Sequence, residues 1–386
     1  MEQWKEYKLG DVCNTISDTY KRNASEVVLI NTSDVLEGKC LNHSKTANKD
    51  LKGQFKKTFQ ENDILYSEIR PANKRFAYVD FDATDYIAST KLMVLRHNDK
   101  INPQYLFYIL KSKSVIEELQ MLAESRSGTF PQITFSELAN LSVNLPPLNE
   151  QQKILSILKS LDDKIELNRQ INDNLEQQAQ ALFKSWFVDF EPFKDGEFIE
   201  SELGMIPKGW KVGELGEIAE FKRGKTITQK DTVLGCIPVI AGGLEPAYYH
   251  NKANTSAPIV TISASGANAG YTQILFEDVW ASDCSFIDST CDYLLFAYCF
   301  LSINSRILRH AQVGAAQPHV YAKDVNAFAL PIPNDTNIIK QFILQIEPMF
   351  EMIGNLRSEI KELAQLRDTL LPRLMSGELK INEINC

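Results

Sequence analysis

The chain has 386 residues, of which 44% are hydrophobic. A chain of this length is too long for one ordinary core, so two or three domains are predicted. No apolar run reaches the roughly 18 residues that span a bilayer, and the first residues are polar, so we expect no membrane segment, no secretory signal and a cytoplasmic location. The seven cysteines form no CxxC pair and the five histidines are scattered, so neither a disulfide framework nor a metal site is predicted.

The net charge of −9 is unevenly distributed along the chain. Residues 1–148 carry 19 basic and 19 acidic side chains, whereas residues 149–200 carry 6 and 11. Basic residues cluster at 45–57, 70–75 and 222–225. Such clusters can bind phosphate on an acidic protein, but we expect modest affinity for nucleic acid unless basic partners contribute.

The first segment, residues 1–148, lacks sustained helical periodicity. Short runs rich in Val, Ile, Phe and Tyr, broken by Gly, Asn, Asp and Pro, predict strands near 27–30, 63–66, 76–79 and 91–95. One helix is predicted near 103–122. This segment is therefore expected to be a mixed α+β domain.

A long helix is predicted next, within residues 149–200. Pro146 and Pro147 precede it, Asn149 is a plausible N-cap, and Pro192 and Gly196 mark its end. Apolar residues recur every seven positions in two series three residues apart, which is typical of a coiled-coil seam.

The same order then repeats. Residues 201–333 predict a second α+β domain, with strands near 237–240, 259–262 and 272–276 and a helix near 293–310, and residues 334–386 predict a second long helix that breaks or kinks near Pro372. Leu9-Gly10-Asp11-Val12 matches Leu215-Gly216-Glu217-Ile218, and the second heptad series follows the first at an offset of 188.

The sequence thus predicts two similar domains and two long helices that pack antiparallel on each other. An ordinary helical bundle is the competing interpretation. The residues expected to form the core of this helical spacer, rather than partner contacts, are Leu158, Ile165, Asn168, Asn172, Leu175, Ile353, Leu356, Ile360, Leu363 and Arg367.

Motifs for catalysis are missing from the sequence. Gly224-Lys225-Thr226 approaches a P-loop, but position 219 is Ala, so the spacing fails. No HExxH, GxSxG or paired-cysteine motif occurs. We expect this chain to have no catalytic activity of its own and to bind no cofactor or metal.

Four segments resemble the specificity subunits of type I restriction-modification systems. SELGMIPKGWKVGELGEI at 201–218 is similar to the start of that family's second target-recognition domain, and residues 127–154 resemble the exit from the first. Residues 161–192 and 366–379 resemble its central and distal helical regions. The matches cover nearly the whole chain in the family's order, although the Gln-Pro order at 317–318 is reversed relative to Pro131-Gln132.

The resemblance implies a DNA-binding, non-catalytic subunit. Each domain would grip one half of a bipartite, asymmetric site on double-stranded DNA, and the helices would set the gap between the halves. Two modification subunits would supply S-adenosylmethionine and adenine methylation. Separate restriction subunits would supply ATP- and Mg-dependent translocation and cleavage.

Residue chemistry and loop placement select the candidate DNA contacts, because Arg and Lys bind phosphate or guanine while Asn and Gln read adenine. For Tyr271 and His319, packing is the competing interpretation. The candidates are Lys21, Arg22, Ser67, Arg70, Lys74, Arg75, Arg126 and Thr129 in the first domain, and Lys222, Arg223, Lys225, Ser265, Asn268, Tyr271, Gln317 and His319 in the second.

Two alternative functions stay open on the sequence alone. A stand-alone sequence-specific DNA-binding protein would need a more basic face than a net charge of −9 favours. An acidic scaffold or DNA mimic would need patterned carboxylates, which the near-neutral first segment disfavours.

Overall fold

The computed structural model describes residues 4–49, 51, 53–126, 128–305, 308 and 319–380. The chain divides into two compact units, Met1–Ile165 with Glu362–Cys386, and Glu166–Lys361. Both are mixed α+β, and each contains one part of each long helix.

The first unit is built from twelve described strands and three helices before the first long helix. The strands are β1 Lys5–Lys8, β2 Cys13–Ile16, β3 Glu26–Ile30, β4 Val35–Leu36, β5 Lys39–Cys40, β6 Lys45–Ala47, β7 Phe55–Lys57, β8 Ile64–Ser67, β9 Phe76–Tyr78, β10 Tyr86–Ser89, β11 Leu92–His97 and β12 Ser142–Leu145. The helices are α1 Pro103–Leu110, α2 Lys113–Arg126 and α3 Phe135–Ala139, and the long helix α4 is Leu148–Phe187.

The second unit follows the same plan. Its strands are β13 Phe198–Ser201, β14 Gly204–Pro207, β15 Trp210–Glu214, β16 Lys222–Arg223, β17 Ile237–Ile240, β18 Tyr248–His250, β19 Ile259–Ser263, β20 Thr272–Leu275, β21 Trp280–Ala281, β22 Cys284–Ile287 and β23 Ala329–Pro333. Its helices are α5 Leu294–Ile303 and α6 Ala322–Asn326, and the second long helix α7 is Asn337–Met375.

The main strand topology is shared by the two units. The order β2-β11-β8-β9 in the first corresponds to β16-β22-β19-β20 in the second, and the antiparallel pair β1-β12 corresponds to β15-β23. Each unit also contains one parallel pair, β3 with β10 and β17 with β21. The predicted duplication of one α+β domain is therefore confirmed.

The two long helices pack side by side in both units. In the first unit, Leu155 and Leu158 of α4 share a core with Leu371 and Leu374 of α7. In the second, later α4 residues such as Phe183 share a core with earlier α7 residues, among them Phe342, Ile346 and Ile353. Because rising numbers in one helix meet falling numbers in the other, the helices run antiparallel, as predicted. Full burial of one such side chain contributes about 1.5–3 kcal/mol.

Some helix boundaries differ from the predicted ones. The helix expected near 103–122 is two helices separated by Lys111 and Ser112. The first long helix ends at Phe187, before Pro192, and Phe190 then adopts a left-handed backbone with φ of 54°. The second long helix passes Pro372 and continues to Met375, after which Gly377, with φ of 75°, closes it.

Candidate nucleic-acid interface

A loop follows β8 in the first unit, and we call residues 68–75 the first loop. An isolated bridge pairs Ile69 with Gln132, the Arg70 amide donates to the Pro131 carbonyl at 3.0 Å, and the Ile133 amide donates to the Glu68 carbonyl at 2.9 Å. These bonds join segments that are about 60 residues apart, so the loop has a fixed position on the domain.

Ser67 and Arg70 both take part in this loop. The buried Ser67 hydroxyl accepts a hydrogen bond from the Ile69 amide at 3.1 Å, so it stabilises the turn from within. Arg70 is exposed, has φ of 46°, and its Nη2 lies 3.4 Å from the Thr129 carbonyl oxygen. The structure therefore brings together three predicted residues, Ser67, Arg70 and Thr129.

Three other candidate cations of the first unit have acidic or carbonyl partners. Lys74 Nζ lies 2.9 Å from Glu37 Oε1, and the Lys74 backbone is also left-handed, with φ of 52°. Arg75 Nη1 donates to the Ser33 carbonyl at 3.1 Å. Arg22 lies 3.5 Å from Asp85. Exposed ion pairs of this kind are weak, so such cations can exchange a carboxylate for a phosphate at low cost. Lys21 and Arg22 line a separate groove of about 360 Å³.

Arg126 lies beside the segment that contacts the first loop. Its Nη1 is 3.0 Å from Glu137 Oε2. Burial alone would raise the pKa of Glu137, but hydrogen bonds from the Thr134 amide and hydroxyl, together with Arg126, outweigh it and lower that pKa. The Arg126 side chain, at the end of α2, is therefore oriented by its ion pair with Glu137.

A groove of about 460 Å³ opens next to Arg126, and its most informative residues were missed by the sequence reasoning. Gln132 and the exposed ring of Phe130 line it, together with Glu68 and Lys57. Burial lowers the pKa of Lys57, and Glu68 opposes that shift. The available signal was Gln132 itself, six positions after Arg126, since a Gln side chain can pair with adenine through two hydrogen bonds.

The second unit has an equivalent loop between β19 and β20, and we call residues 264–271 the second loop. A bridge pairs Ser265 with His319, and the Val320 amide donates to the Ala264 carbonyl at 3.0 Å. The Ser265 hydroxyl donates to Asp283, and the Tyr271 amide donates to the Asn268 carbonyl at 2.9 Å.

Among the predicted residues of the second unit, contacts join Ser265 with His319 and Asn268 with Tyr271. Tyr271 is 43% exposed, so it is not a core residue. The His319 ring stacks on Tyr321 with centroids 5.8 Å apart. Gln317 lies outside the described residues.

Lys222, Arg223 and Lys225 lie on or just after β16, at an edge of its sheet. Lys222 pairs with Phe286 and Arg223 with Ser285. A Cβ on Gly224 would lie 2.3 Å from the Ser282 carbonyl oxygen, so only glycine permits this close approach. The Lys225 carbonyl accepts a 2.7 Å hydrogen bond from Trp280 Nε1. The backbone that bears these three exposed cations is therefore fixed by strand pairing and by the Trp280 hydrogen bond.

The predicted spacer residues differ in burial. Asn168 is fully buried and its Nδ2 donates to Glu359 at 2.8 Å, while the Oδ1 atoms of Asn168 and Asn172 have no partner among the described residues. Half-buried residues are Leu175, Leu356, Ile360, Leu363 and Arg367, and buried ones are Leu158, Ile165, Asn168, Asn172 and Ile353.

A carboxylate links the globular part to the long helices in each unit. Asp162 of α4 accepts hydrogen bonds from the Tyr108 hydroxyl, from Lys111 Nζ at 2.9 Å and from Arg367 Nη1 at 2.7 Å. Burial alone would raise the pKa of Asp162, but these three donors outweigh it and lower that pKa. In the second unit, the Tyr298 hydroxyl donates to Glu176 of α4.

Two negative findings concern the described part of the chain. No group of three or more His, Cys, Asp or Glu side chains there could hold a metal ion. None of the helices there is long and apolar enough to cross a membrane.

The described residues thus form two tandem α+β domains that share a topology, each with a fixed polar loop and a part of the antiparallel helix pair, which is the architecture of a tandem-duplicated protein. The family model for the type I restriction modification DNA specificity domain matches residues 1–177 and 207–362. The chain therefore belongs to the family of type I restriction-modification specificity subunits, which are non-catalytic DNA-recognition subunits.

Individual relatives agree with this assignment. The specificity subunit of the type I restriction enzyme HindI from Haemophilus influenzae is 34% identical, covering 98% of this chain and 100% of its own. The MjaIX specificity subunit from Methanocaldococcus jannaschii is 31% identical over 74% of this chain and 71% of its own. A solved type I S subunit from M. genitalium has a TM-score of 0.58 at 17% identity, covering 97% of this chain and 96% of that one, which supports the fold.

Proposed function

We propose that this chain reads a bipartite, asymmetric sequence on double-stranded DNA and holds a methyltransferase over it. The proposed target-recognition domains are residues 1–148 and 201–333, and the proposed helical spacers are residues 149–200 and 334–386. One observation carries the proposal: the two units share a strand topology but differ in chemistry at equivalent loops. One scaffold with two different surfaces suits two different half-sites.

The candidate contacts divide into two roles. The first role is to bind phosphate or guanine, because Arg and Lys side chains donate hydrogen bonds to both. The exposed cations with this role include Arg70, Lys74, Lys222, Arg223 and Lys225, most of which are held on fixed backbone. Lys21 and Arg22 would bind DNA from their separate groove. The candidates in or beside the loops are Ser67, Arg75, Arg126, Thr129, Ser265, Asn268, Tyr271 and His319, and Gln317 is a candidate from the sequence alone. Ser67 contributes indirectly, because its buried hydroxyl stabilises the first loop.

The long helices set the unread gap between the half-sites. Helices of 40 and 39 residues are about 60 Å long at 1.5 Å per residue. Major-groove faces recur about every 34 Å, so such helices are long enough to set half-sites roughly one turn apart. The buried asparagines Asn168 and Asn172 would fix the register of the pair, as single polar seam residues do in coiled coils.

The partners supply what this chain lacks. We propose that two modification subunits dock on the duplicated helical regions and bring S-adenosylmethionine and adenine methylation, in the cytoplasm. Restriction subunits would add ATP- and Mg-dependent translocation and cleavage. A net charge of −9 favours this arrangement, because phosphate binding then draws on the partners' basic surfaces.

Methylome sequencing tests the proposal. A host that expresses this chain with its modification subunit should methylate adenine in one motif made of two short halves and a fixed gap, and neither protein alone should do so. Replacing residues 1–148 by those of a relative should change one half only. A continuous motif, no motif, or loss of specificity in both halves would contradict the proposal.

A further inference from the structure

Gln132 and His319 occupy the same backbone position in the two units. Gln132 is bridged to Ile69, two residues after Ser67 of β8, and His319 is bridged to Ser265, two residues after Ser263 of β19. Both serine hydroxyls lie within hydrogen-bond distance of the carbonyl two residues ahead, Ser67 to Ile69 and Ser263 to Ser265, each at 3.4 Å.

The residues that follow the bridges confirm the equivalence. Arg70 and Gly266 come directly after the bridged loop residues, and both have positive φ, 46° and 76°. A short 3-10 turn follows Arg70 at Pro71–Asn73, and in the second unit the turn begins one residue earlier in the equivalent frame, at Gly266–Asn268. The backbone frame is thus common to the units, whereas the side chains opposite it, an amide and an imidazole, differ.

We propose that Gln132 and His319 are paired specificity-determining residues, each reading one base pair of its own half-site. This inference rests on the function proposed above. A carboxamide reads adenine through two hydrogen bonds to N6 and N7, whereas an imidazole N–H donates to the N7 or O6 acceptor of guanine. The same position therefore reads different bases in the two halves, which an asymmetric site requires.

The surroundings of Gln132 suit base reading. Its half-buried side chain lines the groove of about 460 Å³ that also holds Arg126, Phe130 and Thr134. The backbone on both sides of Gln132 is fixed, by the Arg70 amide on Pro131 and the Ile133 amide on Glu68. A fixed backbone reduces the entropy lost when the side chain orders on a base, so discrimination is strengthened.

His319 is held in a corresponding way. Its ring is parallel to Tyr321 within 9°, and the next amide, that of Val320, donates to the Ala264 carbonyl at 3.0 Å. The stacked ring keeps its orientation while it stays only half-buried. Packing against Tyr321 and contact with a base are therefore compatible.

Reciprocal variants test the assignment in the assembled methyltransferase. The complex of this chain with its modification subunits is given duplexes in which each base pair of the wild-type motif is randomised in turn. Gln132→His should reduce discrimination about 10- to 100-fold at one base pair of the first unit's half-site and leave the other half unchanged. His319→Gln should do the reverse. Exchange of residues 1–148 identifies which half-site belongs to the first unit.

Gln60→His is the matched control. Gln60 is exposed and precedes the first residue of β8, whereas the first loop follows its last, so the same substitution there should leave every preference unchanged. If Gln132→His fails to assemble, Gln132→Asn replaces it, because it keeps the amide but shortens its reach. A variant that assembles but methylates nothing is scored by sequencing the duplexes that it binds.

Wild-type preferences in both variants, or a change in the wrong half-site, would overturn the assignment. Failure of the proposed function looks different, because the wild-type complex would then show no bipartite preference at all.

Discussion

Asp162 is expected to be a main stabilising contact between α1 and the long helices in the first unit. The Asp162 side chain is 26% exposed. The side chains of Lys111 and Arg367, which donate hydrogen bonds to it, are 18% and 25% exposed. In Asp162→Ala both cations lose this carboxylate, and the Tyr108 hydroxyl loses its acceptor. Removing one partner of a buried ion pair costs about 3–5 kcal/mol, and residual exposure lets water replace part of it. We therefore expect a loss of about 2–4 kcal/mol.

The neighbouring Asp163 provides the matched control. It pairs with Lys159 one turn earlier, and both side chains are more than half exposed, at 64% and 54%. Asp163→Ala gives the same gain in helix propensity as Asp162→Ala but removes only a surface pair, so we expect a change within about 0.5 kcal/mol. The difference between the two variants isolates the buried contact.

Hydrogen exchange measured on peptides from α1 and from residues 148–165 is the suitable assay, because a chain of two units need not unfold in one step. Protection in these peptides should fall in Asp162→Ala and stay near wild type in Asp163→Ala. Equal protection in the two variants would refute the reasoning.

The same contact predicts acid sensitivity. The pKa of Asp162 is lower in the folded protein than its ordinary value, so its contribution is present above an unfolded pKa of about 3.9 and is lost as the pH falls through the lower folded pKa. Protection of the first unit in the wild type should therefore decrease more than in Asp162→Ala on acidification below about pH 4.

Three further substitutions are informative. Asn172→Leu removes a buried carbonyl oxygen that has no partner among the described residues, so it should stabilise the protein by about 1–2 kcal/mol and raise the melting temperature; a lower melting temperature would count against it. Arg96→Lys loses the two 2.7 Å bonds to the buried Asp63 and should destabilise the first unit by about 1–3 kcal/mol in urea titrations. Gly224→Ala should weaken DNA binding by the assembled complex, because its Cβ would displace β16, whereas Gly128→Ala, with no atom within 4 Å, should not.

Local patterns in the sequence were sufficient for the architecture. Short runs rich in Val, Ile, Phe and Tyr located strands such as Phe76–Tyr78 and Ile237–Ile240. The heptad series located both long helices, and the duplication predicted their antiparallel packing. Periodicity is a property of neighbouring residues, so it can be read without coordinates. Proline was the weak signal: α7 continues through Pro372, and α4 ends before Pro192.

Tertiary structure alone decided which distant residues meet. Gln132 faces Ile69, and Asp162 meets Arg367 across about 200 residues, and no spacing rule encodes either contact. The sequence therefore determined that two similar domains alternate with two helices, because burial patterns repeat locally. Which side chains share a groove depends on how strands and loops converge in space, which only the folded chain defines.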